Sequence, residues 1–420
     1  MLSGRTATAL VVVAICVGMN MLARGVSETY AVFLLPLEQE FEWRRAAITG
    51  VYSTYMLVHG LSAPLAGMLF DRLGPRLLYA GGALCLGAGY YLASSLDSAW
   101  QFHLCIGVLG GVGVAAMGMV PASALVSRWF RARLGTAMGV TYAGLGMGVI
   151  AVVPLTQWLI DRDGWRSAYA SLGVFVLALV PLLLVLPWKH FAAGNPDFAS
   201  TPERPLRGGW TLRGAVRSSA FWGLFAVFFF TAVAIWGTIL QAVAYLVEIG
   251  FPPLEAATAF GVTGIMSVLG MIATGWLADR VGRRPTVTVT FMLTFAGIGM
   301  LFLLAQFPYY WLLVVFVLCF GVSQGSRGPV ISTLCAELFP GGGIGAIYGA
   351  LTLGMGTGAA CGAWSSGWLR DATGGYEAGF AFAAVMALLG LAQFWLIPAL
   401  ARGAHPAAIS PGSGDDSENV

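Results

Sequence analysis

A ten-residue signature occurs twice in this chain, 208 positions apart, each time between two long apolar runs. Gly67-Met-Leu-Phe-Asp71-Arg72-Leu-Gly74-Pro-Arg76 returns as Gly275-Trp-Leu-Ala-Asp279-Arg280-Val-Gly282-Arg-Arg284. The same offset carries Glu40 onto Glu248, Pro121 onto Pro329, Gly135 onto Gly343, and Gly146-Met147-Gly148 onto Gly354-Met355-Gly356. Register kept over so many positions predicts a fold of two similar halves, each carrying one copy of the signature between helices.

The apolar runs decide what those halves are made of. Stretches of roughly 20 apolar residues, the length that crosses about 30 Å of hydrocarbon, recur along most of the sequence. Charged residues make up only 10% of the chain, against about 25% in a typical soluble domain. The runs lack the period-two alternation of a membrane barrel. The expected fold is an all-α integral membrane protein with twelve transmembrane helices in two pseudo-symmetric six-helix bundles. Spans are expected near 8–36, 46–70, 77–96, 100–127, 135–160, 168–188, 219–247, 255–278, 285–306, 310–339, 343–368 and 375–400. The first is too long for a signal peptide and lacks a cleavage site of small residues, so it is read as an uncleaved helix.

Charge places the termini. With the N-terminus inside, fifteen Lys and Arg residues fall in inner segments and five in outer loops, leaving Arg24 and Arg327 inside spans. The positive-inside rule then puts both termini in the cytoplasm, and the expected location is the cell's inner (plasma) membrane. Residues 1–188 are expected to form the N-terminal bundle, 189–217 a cytoplasmic linker rich in Pro, Gly and Arg, and 218–402 the C-terminal bundle. Residues 403–420 read as a disordered cytoplasmic tail. The linker's basic residues suit anionic lipid headgroups rather than nucleic acid. The six cysteines all fall within spans without metal-ligand spacing, so neither a metal nor a disulfide framework is expected, and no cofactor.

Two six-helix halves with the signature after spans 2 and 8 resemble the major facilitator superfamily over nearly the whole chain. Three further patterns resemble its monocarboxylate transporter and oxalate/formate antiporter-like group: Glu40-Phe41-Glu42-Trp43-Arg44-Arg45, Trp129-Phe130-Arg131-Ala132-Arg133-Leu134-Gly135-Thr136-Ala137-Met138-Gly139, and Gly367-Trp-Leu-Arg-Asp371-Ala-Thr-Gly-Gly-Tyr376. The resemblance implies a secondary transporter working by alternating access, functional as a monomer, with the signatures at an inner gate. One departure stands out. The resemblance leads one to expect an acidic/basic pair in span 8, yet 256–278 holds no charge.

Charges deep in the bilayer are expensive, so they point to function. Arg327 lies mid-span 10 in Ser323-Gln324-Gly325-Ser326-Arg327-Gly328-Pro329, and its repeat-mate is Met119. Arg24 lies mid-span 1, with repeat-mate Ala232. Neither cation is required by the twofold scaffold. A guanidinium without a local acid can hold a carboxylate through two parallel hydrogen bonds, or it can be a structural bond to carbonyls. Arg24 also has Glu28 one turn on, and the two can neutralise each other. Glu28 and His59 are the candidates for proton coupling. Tyr30, Tyr142, Trp236, Gln241 and Tyr348 are candidates to complete the cavity. Asp71 and Asp279 can each cap the positive N-terminus of a neighbouring helix, while Arg72, Arg76, Arg280 and Arg284 pair with acids or headgroups. Glu337 is expected to join one of those arginines.

Two midplane cations favour a carrier of small organic anions, monocarboxylates foremost, by proton symport or anion exchange. The alternative, an efflux carrier for amphipathic or drug-like compounds, would favour an acidic, aromatic-lined cavity. No nucleotide loop, metal cluster or nucleophile motif supports an enzyme.

Overall fold

The computed structural model describes residues 4–43, 45–131, 133–195, 210–341, 343–398 and 400, and regular structure among these is helical. The middle of the linker, with Arg204 and Arg207, and the tail, with Arg402, lie outside the described residues. In hydrocarbon every backbone polar group must be satisfied within the protein, so apolar runs of this length become helices. α1 (Gly4–Glu28) and α2 (Tyr30–Phe41) form the first rod, interrupted at Thr29. α3 (Arg45–Ala93) follows, then α4 (Ala99–Phe102), a π-helical stretch (His103–Gly110), α5 (Gly111–Met117) and α6 (Met119–Val126). α7 (Leu134–Val185) and the short α8 (Trp188–Ala193) close the first half. After α9 (Leu212–Ala215), the second half runs through α10 (Ser219–Glu248), α11 (Pro253–Val281), α12 (Arg283–Gln306), α13 (Tyr310–Gln324), α14 (Arg327–Leu338), α15 (Ile344–Thr373) and α16 (Glu377–Leu396). By length and apolar composition, nine stretches among the described residues can cross a membrane.

The signature explains where rods reverse. α3 is broken at Gly74, whose φ is 77°, and α11 ends at Gly282, whose φ is 98°. A side chain is crowded in that left-handed region, so the Gly of each signature copy is a backbone requirement. α7 is broken the same way at Gly164, with φ 80°.

Buried apolar side chains form two clusters. One draws on α1 through α8; the other on α9 through α16, with Ala63 and Val120 reaching in from the first half. The repeat is therefore also a repeat of cores. Its register shifts once. Gly144 of α7 packs on Val17 and Gly148 on Met21; Gly354 of α15 packs on Phe225 and Gly358 on Phe229. The α1 and α10 partners keep the 208 offset, but their glycines are 210 apart. Gly135 thus corresponds to Gly345 rather than Gly343, and Gly146 to Gly356 rather than Gly354. The second half holds two extra residues between Pro329 and Gly345, which a gap-free comparison passes over because Gly-x-Gly matches itself at a two-residue slip.

At the face opposite the signatures, ion pairs tie helices within each half. Arg166 of α7 bonds Glu40 at 3.0 Å and Asp97 at 2.7 Å, and Arg370 of α15 bonds Glu248 at 3.1 Å. The Trp165 indole N–H also donates to Glu40. That hydrogen bond and the Arg166 guanidinium hold the Glu40 carboxyl below the usual carboxylate range. Because its folded-state pKa is depressed, the contribution to stability is present above the ordinary carboxylate pKa and fades as pH falls through the lowered one. Glu40→Gln should lower the melting temperature at pH 7 by about 1–3 °C, the scale of a part-exposed pair. The difference from wild type should shrink as pH falls below the ordinary carboxylate range and through the lowered pKa. A difference that does not change with pH would assign the loss to packing.

Candidate functional site

The two halves meet most closely at the signature face. α3 packs on α15, and α7 on α11. Both contacts are backbone against backbone. A Cβ on Gly67 would fall on the carbonyl oxygen of Gly345, and one on Gly275 on that of Gly135. Further along the seam, a Cβ on Gly349 would sit 2.5 Å from the Ala63 oxygen. Here the signature aspartates act as caps on the opposite half. Asp71 of α3 accepts from the Ala346 N–H at 3.0 Å, in the first turn of α15. Asp279 of α11 accepts from the N–H groups of Gly135 and Thr136 at 2.9 and 2.7 Å, and from the Thr136 hydroxyl at 2.6 Å, at the start of α7. Each carboxylate meets the positive end of a helix and its unpaired N–H groups. Sequence reasoning expects such caps; the structure adds that each one crosses the seam.

A cavity of about 650 Å³ lies between the halves on the other side of this closure. Its lining positions on α3 all precede Ala63, and those on α15 all follow Gly349. It is therefore closed toward the signatures and opens toward the opposite face. The polar end is built by α1 and α3. Arg24 and Glu28, one turn apart, pair at 2.8 Å. The Tyr52 hydroxyl donates to the same Glu28 oxygen at 2.9 Å. Glu28, Tyr30 and Tyr52 face the cavity, with Arg24 behind Glu28. Tyr30 and Tyr52 stack, with ring centroids 6.1 Å apart. Trp236 of α10 lines the opposite wall.

The other expected site residues fall around this centre. Tyr142 of α7 and Tyr348 of α15 are buried, and their hydroxyls hydrogen-bond each other across the seam, between the cavity and the signature closure. Gln241 donates to the Ser366 hydroxyl at 3.5 Å, joining α10 to α15. His59 stacks on Tyr55 within α3, with centroids 6.0 Å apart. Arg327 is 2% exposed and faces α12 rather than the cavity. Its guanidinium lies 4.0 Å over the Phe291 ring, donates to the Thr290 carbonyl at 2.9 Å, and also donates to the Thr294 hydroxyl. Glu337 does join a signature arginine, but it is Arg283, which is none of the four expected. Arg284 instead donates to the last carbonyls of α16, Phe394 and Trp395, and stacks on Trp395. Arg280 stacks on Trp276, while Arg72 and Arg76 are exposed.

Sequence reasoning missed Tyr52 and Tyr55. The signal was there: Tyr52, Tyr55 and His59 stand at i, i+3 and i+7, one face of a helix, and that face meets Arg24 and Glu28.

Two helical halves closed by signature aspartates around a central cavity define a transporter of the alternating two-bundle kind. The family model described as Major Facilitator Superfamily matches residues 13–352 and 248–413, and the chain belongs to that superfamily. Monocarboxylate transporter 13 of Rattus norvegicus is 30% identical over 384 residues, covering 89% of this chain and 85% of that protein. Monocarboxylate transporter 12 of Rattus norvegicus is 27% identical over 416 residues, covering 91% and 85%. The solved proton:xylose symporter XylE, bound to 6-bromo-6-deoxy-D-glucose, superposes with a TM-score of 0.75 at 15% identity, covering 94% of this chain and 96% of that one. At that identity the likeness speaks for the fold alone. Within the superfamily the chain falls in the monocarboxylate transporter group, as a multi-pass membrane transporter of small organic solutes.

Proposed function

We propose that this chain is a secondary carrier of small organic anions, monocarboxylates foremost, coupled to protons or to a counter-anion. Its two six-helix bundles, 1–188 and 218–402, would make twelve crossings and rock against each other about the seam. With the signature face in the cytoplasm, the described conformation is the outward-open one. The observation that carries the reading is the Arg24–Glu28–Tyr52 cluster at the end of the cavity. It sets one guanidinium behind one carboxylate. A carboxylate substrate can take that guanidinium only if Glu28 yields it, and a protonated Glu28 yields it without leaving a buried negative charge. Loading the anion is thereby linked to loading a proton. The name of the relatives, monocarboxylate transporter, supports the same substrate class.

The test is uptake of labelled carboxylates into proteoliposomes under an imposed pH gradient, for wild type and Glu28→Gln. Wild-type uptake should be saturable and rise as external pH falls. The Gln variant, fixed in the neutral form, should lose gradient-driven accumulation by about 10-fold or more, the scale of a coupling free energy of 1–3 kcal/mol. It should keep counterflow exchange, because exchange needs only the loaded carrier to reorient. Gradient-driven accumulation equal to wild type would make Glu28 a structural partner of Arg24. Transport of neutral or cationic amphiphiles with no carboxylate uptake would sink the organic-anion reading.

A further inference from the structure

The cavity's one charged lining residue, Glu28, lies at the end built by α1 and α3 with Tyr30, Tyr52 and Ser53; apart from Thr357 and the Trp236 indole, the rest of its lining is apolar. From α3, Met56, Leu57 and Leu61 face it; from α2, Leu34; from α15, Leu353 and a run of small residues. Leu57 and Leu61, one turn apart, are 62% and 60% exposed. They begin a row of exposed leucines on α3 that continues through Leu65, Leu69 and Leu73 beyond the cavity, so part of their open surface faces the membrane and the part that lines the cavity is what a ligand can cover. The volume, about 650 Å³, is within the range of pockets that enclose drug-sized molecules, roughly 300–1,000 Å³. A two- or three-carbon acid held at Arg24 would leave most of this wall wet. A dicarboxylate would need a second cation, and Arg327 faces Phe291, Thr290 and Thr294 of α12 instead.

Resting on the reading of the Arg24 cluster as an organic-anion site, we infer that the substrate is an amphipathic monocarboxylate with an apolar body, branched, aromatic or medium-chain. Its carboxylate meets Arg24, and its body lies along Leu57 and Leu61 toward Trp236. The apolar wall then contributes in proportion to the area it loses to the ligand. Each methylene covered gives about 0.8 kcal/mol, or about a four-fold tighter dissociation constant.

Equilibrium binding to the purified full chain, by dialysis and thermal shift, tests this with a defined panel. The panel is acetate, lactate, butanoate, hexanoate, octanoate, 3-phenylpropanoate, oxalate, succinate and octanamide. Affinity should rise about three- to four-fold per methylene from butanoate to octanoate. 3-Phenylpropanoate should bind at least about 100-fold tighter than lactate. Leu57→Asn with Leu61→Asn should flatten the chain-length series, the loss in affinity growing with each methylene from butanoate to octanoate. If lactate, acetate or oxalate binds as tightly as octanoate, the apolar-body class is overturned and the organic-anion reading survives. If octanamide binds as tightly as octanoate, the anion reading falls, and this inference with it. A chain-length series unchanged in the double Asn variant would overturn the placement along Leu57 and Leu61.

Discussion

Arg24→Gln should reduce carboxylate uptake by about 100-fold or more, the scale of losing a charge-assisted contact of about 3 kcal/mol. The effect is large because none of the side chains lining the polar end of the cavity, Glu28, Tyr30, Tyr52 and Ser53, is a cation. The single variant also leaves Glu28 in the cavity without its counter-ion, so part of the loss could come from misplaced charge rather than from the missing ligand. Arg24→Gln combined with Glu28→Gln separates the two. The double variant removes both charges together, as the pair's neutral equivalent, and should recover wild-type thermal stability. It should still fail to bind octanoate. Arg24→Lys should keep folding and give weak transport, because an ammonium lacks the planar fork that matches a carboxylate. Uptake restored in the double variant would remove Arg24 from the substrate site and leave it as the partner Glu28 needs.

What the sequence disclosed follows from which forces act locally. The two-half architecture was legible because apolar length and a repeated signature are both linear features. The capping aspartates were legible because a carboxylate at a helix junction has few favourable uses. The Arg24–Glu28 pair was legible because i,i+4 is a fixed distance on a helix. Facing was not legible. Arg327 sits near the break between α13 and α14, and the turn of helix between Gly325 and Gly328 decides whether it looks toward the seam or toward α12. Gly328 takes the side facing Tyr142, and Arg327 therefore takes the other. The partner of Glu337, expected among Arg72, Arg76, Arg280 and Arg284, is Arg283, because one residue along a helix turns the side chain by about 100°. The two-residue slip between Pro329 and Gly345 escaped because small residues recur at spacings of two on these helices, so glycine matches glycine in either register.

Gly67→Val should bring uptake to background and hold the protein away from the conformation described. Gly67 and Gly345 approach so closely that any Cβ on Gly67 would coincide with a backbone oxygen, and a backbone cannot step aside as a flexible side chain can. Inserting bulk into such a contact costs about 1–3 kcal/mol where the surroundings relax. Here relaxation means parting the halves, which also pulls Ala346 from Asp71. The seam in this conformation loses its tightest contact and one of its caps together, while each half keeps its own core. The protein should therefore remain folded but shift toward the state open at the signature face. A cysteine placed at Ala360, on the cavity wall, reports this in a background without the native cysteines. Its labelling by a membrane-impermeant thiol reagent from the cavity side should fall several-fold, as a 1–3 kcal/mol shift changes the equilibrium constant between the two states by about 5- to 150-fold. Gly275→Val, which meets Gly135 in the mirror contact, should do the same. Asp71→Asn removes only the charge on one cap, so it should slow turnover with a smaller change in labelling. If Gly67→Val transports and labels like wild type, the approach of Gly67 to Gly345 is not part of the closure, and the cap made by Asp71 would have to hold that side of the seam alone.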